Sequence, residues 1–214
     1  MDLVEGALRW LGAASAGLVL LIVVWGVVQS HRRPVGRTTG AAERVLRPSV
    51  EAAIGVGFFG VCIVLWRTLP LRPGGGLLVV VDVGGALLVM AGLSLVLWGR
   101  LALGRFYGVS SATGARLLSG HRLITHGPFA HVRHPMYVGI EVAAVGGLLL
   151  YRTWTMVFLT IAFVGLAVRA HREDEVLRLE FGDQWEAYRQ QVPGWLPRIG
   201  WIKRSRSSGL DDAL

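Results

Sequence analysis

Five stretches of this chain, residues 7–29, 52–69, 77–98, 136–150 and 154–168, are almost free of charge and approach the length of a membrane-crossing helix. Hydrocarbon offers no partner to a backbone N–H or C=O, so such stretches are restricted to helices that satisfy their own hydrogen bonds. The last two are separated only by Tyr151, Arg152 and Thr153, which makes them a helical hairpin with a tight turn. The chain is 53% hydrophobic and 17% charged over 214 residues. That is more apolar material than a soluble core of this size can hide, against roughly 25% charged residues in an average soluble domain. A disordered, disulfide-rich or ordinary cytosolic protein is thereby excluded, and the single cysteine, Cys62, has no internal partner. The first stretch is preceded by Asp2 and Glu5 against one Arg9, the wrong charge for a cleaved leader, and reads as a retained helix.

The basic residues orient the bundle. Arg9, Arg67, Arg72 and Arg152 fall on one side, while the remaining eighteen of the 22 Lys and Arg fall in the first and third loops and after the fifth stretch. Positive loops stay in the cytoplasm, so the N-terminus is expected outside and the C-terminus inside. The net charge of +8 is then a topology signal, and no nucleic-acid partner is expected. Trp10, Trp66, Trp98 and Trp154 sit near the ends of the stretches, where an indole buries its ring and keeps its N–H wet.

Several patterns carry less than their letters suggest. Gly55-Val56-Gly57-Phe58-Phe59-Gly60 matches a dinucleotide fingerprint, but that motif has meaning only between a strand and a helix. Inside an apolar helix, close packing through small residues is the expected role. His121, His126, His131 and His134 share one polar loop; without a nearby Cys or a His-Glu-x-x-His pattern, no metal is expected. Asp82 and Glu141 are acids within apolar stretches. Asp82 lies near one end and is expected to reach outward to the interface. Glu141 is four residues after Tyr137 on the same helix face, and either lines a substrate cavity or reaches an interfacial arginine.

Chemistry-bearing residues are concentrated in two polar segments. In the first, residues 121–139, Gly127-Pro128 signals a turn and Pro135 suits the first position of a helix. Arg133 and His134 then stand at the helix mouth, where free N–H groups and a cation suit a carboxylate or phosphate. In the second, residues 169–188, Arg169 and Glu173 share a helix face. Gly182 is a left-handed stop, and Asp183 with Glu186 is a capping-box variant that restarts a helix carrying Trp185 and Tyr188 on one face. Across a tight hairpin, Arg169 reaches back to the helix mouth and shares a pocket with it.

Together these segments resemble the isoprenylcysteine carboxyl methyltransferase family of integral-membrane enzymes, over about residues 103–199. The resemblance rests on Gly127-Pro-Phe, Arg133-His-Pro-Met-Tyr-Val-Gly139, Arg169 followed by Glu173-Asp174, Phe181-Gly182 with Trp185 and Tyr188, and the closing Val192-Pro193-Gly194-Trp195-Leu196-Pro197. The expected fold is an all-α polytopic membrane protein of about five transmembrane helices with a cytoplasmic C-terminal helical cofactor-binding region. Residues 1–98 form a three-helix membrane region, 99–200 the methyltransferase-like core, and 201–214 a flexible tail. The resemblance implies S-adenosyl-L-methionine as cofactor, without a Rossmann fold. It also implies that His121, Arg122, Leu123, Ile124, Phe129, His134, Pro135, Met136 and Tyr137 line the cofactor pocket. Arg169 would face the methyl acceptor and Glu173 would touch the cofactor, the two forming the catalytic pair. Phe129 stands where the family often has Tyr, and Asp174 replaces a second Glu.

The expected reaction is methyl transfer at the membrane to a carboxylate on a lipophilic small molecule or prenylated substrate entering from the bilayer. Lys203 is the one lysine among 22 basic residues, a bias of GC-rich bacteria that points to an inner membrane and a small lipophilic acceptor. The alternatives are a membrane NADPH-dependent sterol-type reductase, whose C-terminal architecture is similar, a phospholipid or small-molecule N-methyltransferase, and a non-enzymatic scaffold or transporter.

Overall fold

The computed structural model describes residues 2–31, 35–38, 48–70, 74–107, 110–111, 114–118 and 122–197; His121 and the tail 201–214 lie outside the described residues. Each apolar stretch read from the sequence contains a helix, although the second, read as 52–69, stops at Val64 and the last breaks at Ala162. In chain order the elements are α1 (Asp2–His31), β1 (Val35–Thr38), α2 (Pro48–Val64), α3 (Gly75–Leu103), β2 (Ser110–Ser111), β3 (Gly114–Leu118), α4 (Pro135–Tyr151), α5 (Trp154–Ile161), α6 (Phe163–Phe181) and α7 (Asp183–Gln191). Leu3–Gly26, Gly75–Leu103 and the run Trp154–Phe181 are long and apolar enough to cross a membrane, while Ala53–Val64 and Pro135–Tyr151 are shorter apolar helices. In the loops the short strands pair antiparallel in the order β1-β3-β2, with Ser110 opposite Ala115.

The bundle is organised around α3 and α4, which share its most extensive contact. Gly85, Val89, Gly92, Val96 and Gly99 recur every three or four residues, so they occupy one face of α3, and all are buried. Gly139 and Gly146 of α4 meet that face. A Cβ on Gly92 would run into the Gly139 carbonyl, and one on Gly146 would stand 2.7 Å from the Gly85 carbonyl. In lipid there is no hydrophobic drive between helices, so association comes from this close backbone approach. The fingerprint-like glycines behave otherwise. A Cβ at Gly55, Gly57 or Gly60 would meet nothing within 4 Å, so the packing role expected of them is corrected: the close seam belongs to α3 and α4.

The α4–α5 hairpin turns through Arg152, which adopts a left-handed conformation, and Thr153, whose hydroxyl caps α5 by accepting from the Met156 N–H. Arg152 donates to Asp82 at 2.6 Å and lies 3.3 Å from Glu5, which also pairs with Arg9 at 2.7 Å. Asp82 therefore does not reach outward as expected. It is 3% exposed, and a buried carboxylate is held by the charge that the hairpin turn supplies. The segment after α2 joins this end of the bundle: Thr68 bridges Thr153, and the Thr155 hydroxyl donates to the Cys62 carbonyl at 2.7 Å. Trp10, Trp66, Trp98 and Trp154 are all exposed, as interfacial anchors would be.

Two substitutions test this account. Gly92→Leu forces the α3–α4 backbones apart and is expected to cost about 3 kcal/mol or more, seen as loss of monodisperse, heat-stable protein in detergent, while Gly57→Leu is tolerated. Asp82→Ala leaves Arg152 without its buried partner and is expected to destabilise by about 3–5 kcal/mol in the same melting assay.

Candidate active site

The site is built where α4 begins. Gly127 takes φ 61°, a conformation other residues avoid, and starts a tight turn over Gly127–Ala130 that leans on Trp98 and Ala102 of α3. Pro135 occupies the first turn of α4, its side chain fully buried. His134 precedes it as the helix cap, but its side chain makes no capping bond.

The approach to α4 carries a tie that the sequence does not show. The N–H groups of Arg133 and His134, just before the helix, donate to the carbonyls of Pro193 (2.9 Å) and Gly194 (3.1 Å) in the segment after α7. Buried backbone donors need partners, and this closing segment supplies them. It thereby places Trp195 beside His134 and Tyr137, with ring centroids 5.4 and 6.5 Å away. His134 and Tyr137 are themselves stacked at 5.8 Å and 19°. The result is a wall of three aromatic rings.

Facing this wall is α6. The Tyr137 hydroxyl donates to Glu173 Oε1 at 2.5 Å, and Arg169 Nε lies 3.7 Å from the same oxygen. The Arg169 guanidinium also lies over the Tyr137 ring, 5.8 Å from its centroid. Asp174, the next residue of α6, receives Arg133 Nη1 at 2.5 Å on one oxygen, while its other oxygen stands 3.0 Å from His134 Nε2 without a hydrogen-bond geometry. Adjacent acids on α6 thus hold the two ends of the Arg133–Tyr137 segment: Glu173 the tyrosine, Asp174 the arginine.

The short helix α7 is the platform beneath. Gly182 takes φ 48° and is itself the N-cap, so the expected Asp183–Glu186 capping box is corrected: both acids lie in the first turn and act through their charge at the helix N-terminus. Trp185, Tyr188 and Val192 are buried together with Leu123, Leu177 and Phe181. The Tyr188 hydroxyl donates to the Phe129 carbonyl at 2.7 Å, and Arg133 lies 5.5 Å over the Trp185 ring. A cavity of ≈ 290 Å³ opens between α6, α7 and the closing segment, lined by Arg133, His134, Asp174, Trp185 and Trp195 among others.

The structure therefore brings His134, Tyr137, Arg169 and Glu173 together. Other residues of the expected pocket are placed differently. Leu123 packs into the α7 core, Phe129 offers its carbonyl, Met136 is turned toward Gly99 of α3, and Arg122 is exposed. Asp174, Trp195 and Tyr107 join the site without having been singled out as site residues. Trp195 and Asp174 sat within the family-like motifs; Tyr107 had no such signal. Burial pushes the Tyr107 phenol up despite the opposing charges of Arg169 and Arg100, which keeps it a neutral hydrogen-bonding group, and the Arg100 guanidinium lies 4.4 Å from its ring centroid.

Burial also pushes the Tyr188 phenol up; Arg133 opposes the shift and Asp174 adds to it. A folded-state pKa above the unfolded one means stability that is complete below about pH 10 and is lost as pH rises further. Tyr188→Phe is expected to flatten the alkaline fall in melting temperature while costing about 1 kcal/mol at neutral pH through the lost bond to Phe129. Melting curves from about pH 7 to 11 would check both parts.

Comparison with known proteins bears out the family resemblance over the part of the site carried by α4 and most of α6, which leaves α7 and the closing segment outside the family match. Residues 85–179 match the model of the Isoprenylcysteine carboxyl methyltransferase (ICMT) family. The protein-S-isoprenylcysteine O-methyltransferase of Schizosaccharomyces pombe is 37% identical over 81 residues, covering 37% of this chain and 34% of that protein. A probable protein-S-isoprenylcysteine O-methyltransferase of Oryza sativa subsp. indica is 37% identical over 81 residues, covering 37% of this chain and 42% of its own. The protein-S-isoprenylcysteine O-methyltransferase B of Arabidopsis thaliana is 32% identical over 81 residues, covering 37% of this chain and 41% of its own. The matches thus span well under half of these relatives. Among solved structures, the eukaryotic intramembrane Ras methyltransferase ICMT aligns with a TM-score of 0.48 at 24% identity, over 74% of this chain and 56% of that one.

Proposed function

We propose that this integral-membrane protein transfers a methyl group from S-adenosyl-L-methionine to a lipophilic acceptor, at a carboxylate as in isoprenylcysteine-type O-methylation. The observation that carries the reading is the meeting of Arg169, Glu173 and Tyr137 across the α4–α6 gap, inside the family-matched segment. The core is residues 99–200, five helical stretches cross the bilayer, and the start of α4 faces the cytoplasm.

The residues present suit the cofactor. Its cationic centre matches the aromatic faces of His134, Tyr137 and Trp195 and the carboxylate of Glu173. Its carboxylate matches Arg133, whose Nε is buried without a hydrogen-bond partner. When bound, S-adenosylmethionine supplies an electrophilic methyl on a sulfonium. Such a displacement needs little proton transfer, so this chain's task is alignment, exclusion of water and charge placement. Arg169 presents a fork-shaped guanidinium to the acceptor carboxylate. Glu173 holds Arg169 and the Tyr137 hydroxyl in register from one oxygen, and Asp174 fixes Arg133 behind them. Acceptors enter laterally from the lipid, where their apolar part already resides.

Calorimetric titration of the detergent-purified protein with S-adenosylmethionine, S-adenosylhomocysteine and NADPH tests the reading. Binding of the first two, weakened in His134→Ala and Glu173→Ala, is expected; binding of NADPH alone would replace the reading with a reductase. Arg169→Ala is expected to lower turnover by about 10²–10³-fold while leaving S-adenosylmethionine affinity intact. Wild-type turnover in that variant would remove Arg169 from its role.

A further inference from the structure

Glu141 is the only charged residue of α4. It lies six residues past Pro135, about 9 Å along the helix, and one turn beyond Tyr137 on the same face. Its Oε2 is buried with no hydrogen-bond partner, and among the described residues no cation answers it. The arginine contact considered for it from the sequence is therefore absent among the described residues. Asp82, the other acid in an apolar stretch, is by contrast satisfied by Arg152. Nor does Glu141 serve the α3–α4 seam, which runs through Gly139 and Gly146 on the far side of the helix.

Its position follows from one contact. Tyr137 meets Glu173, and the run α5–α6, Trp154–Phe181, returns along the bundle after the tight turn that ends α4. Four residues onward in α4 and four back in α6 move the same way along the bundle, each by about 6 Å. Glu141 and Arg169 thus stand at one depth, on the two helices that bound the acceptor's place. A carboxyl with an unmade hydrogen bond in hydrocarbon is costly and is retained where a bound group completes it.

We propose that Glu141 is a specificity-determining residue of the acceptor site: it accepts a hydrogen bond from an N–H of a lipophilic acceptor, next to the carboxylate that Arg169 holds. The proposal rests on the methyltransferase reading and deepens it, since it narrows the acceptor from any greasy acid to an acid flanked by an N–H donor. A plain fatty acid would leave Glu141 unsatisfied.

The test uses the full-length protein in nanodiscs with N-lauroylglycine and N-lauroylsarcosine, which differ only by a methyl group in place of the N–H. The wild type is expected to prefer the first by roughly tenfold in kcat/KM, the scale of one hydrogen bond to a charged group. Glu141→Leu is expected to bring the ratio close to one. Glu141→Gln, which keeps an acceptor oxygen and the side-chain shape, is expected to retain most of it. An unchanged ratio in Glu141→Leu overturns the proposal, as does equal turnover of both compounds, or of neither, by the wild type. Calorimetry of S-adenosylmethionine on the same preparations separates the two levels. Cofactor binding with no preference sinks only the role of Glu141, whereas no cofactor binding sinks the methyltransferase reading and this proposal with it.

Discussion

The close approach of α3 and α4 is the constraint on which the rest of the molecule depends. Two helices in hydrocarbon gain little from apolar side chains that lipid would solvate as well, so their association rests on contact that lipid cannot reproduce. Glycine against glycine at Gly92 and Gly139, and at Gly85 and Gly146, supplies it. Because α4 is fixed by this seam on one side, its opposite face, with Tyr137 and Glu141, is held at a defined distance from α6. The residues expected to do chemistry lie on that free face and around its start.

Charge is then distributed unevenly along the bundle. At the hairpin end, Glu5, Arg9, Asp82 and Arg152 close into a set in which every acid has a cation, and the backbone of the α2–α3 connection is stitched to the turn. At the other end, Asp174 ties α6 to the mouth of α4, and the segment after α7 completes the backbone bonds of Arg133 and His134. Both ends of the α4–α6 pair are therefore clamped. Between them, Arg169 and Tyr137 meet on Glu173, while Glu141 Oε2 is buried without a hydrogen-bond partner among the described residues.

Much of this was legible in the residues. The apolar stretches formed helices, the tight hairpin turn formed within Tyr151-Arg152-Thr153 (at Arg152 and Thr153, Tyr151 ending α4), and Pro135 started its helix. The pairing of Arg169 with Glu173 followed from i,i+4 spacing. What escaped the sequence depended on long-range partners. Asp82 looked like an acid near an interface because Arg152 is seventy positions away in the chain. The glycines of α2 looked like a packing motif, yet letter patterns do not say which helix has a neighbour. The tie between the residues just before α4 and the segment after α7 escaped because nothing local announces that Pro193 and Gly194 will accept from Arg133 and His134.

The sequence by itself determined that this chain lives in a membrane, where its helices lie, and which two short polar segments hold the residues that meet at the candidate site, because hydrophobic length, proline and spacing act locally. Only the tertiary structure decided which of the candidate residues meet. It set His134, Tyr137, Arg169 and Glu173 in one place, turned Met136 to the α3 seam and Leu123 to the α7 core, and brought in Asp174, Trp195 and Tyr107. The physical reason is that a contact between helices is fixed by which faces pack, and that choice was made by the glycine seam and the hairpin turn, whose partners on α3 lie far along the chain from the groups they bring together.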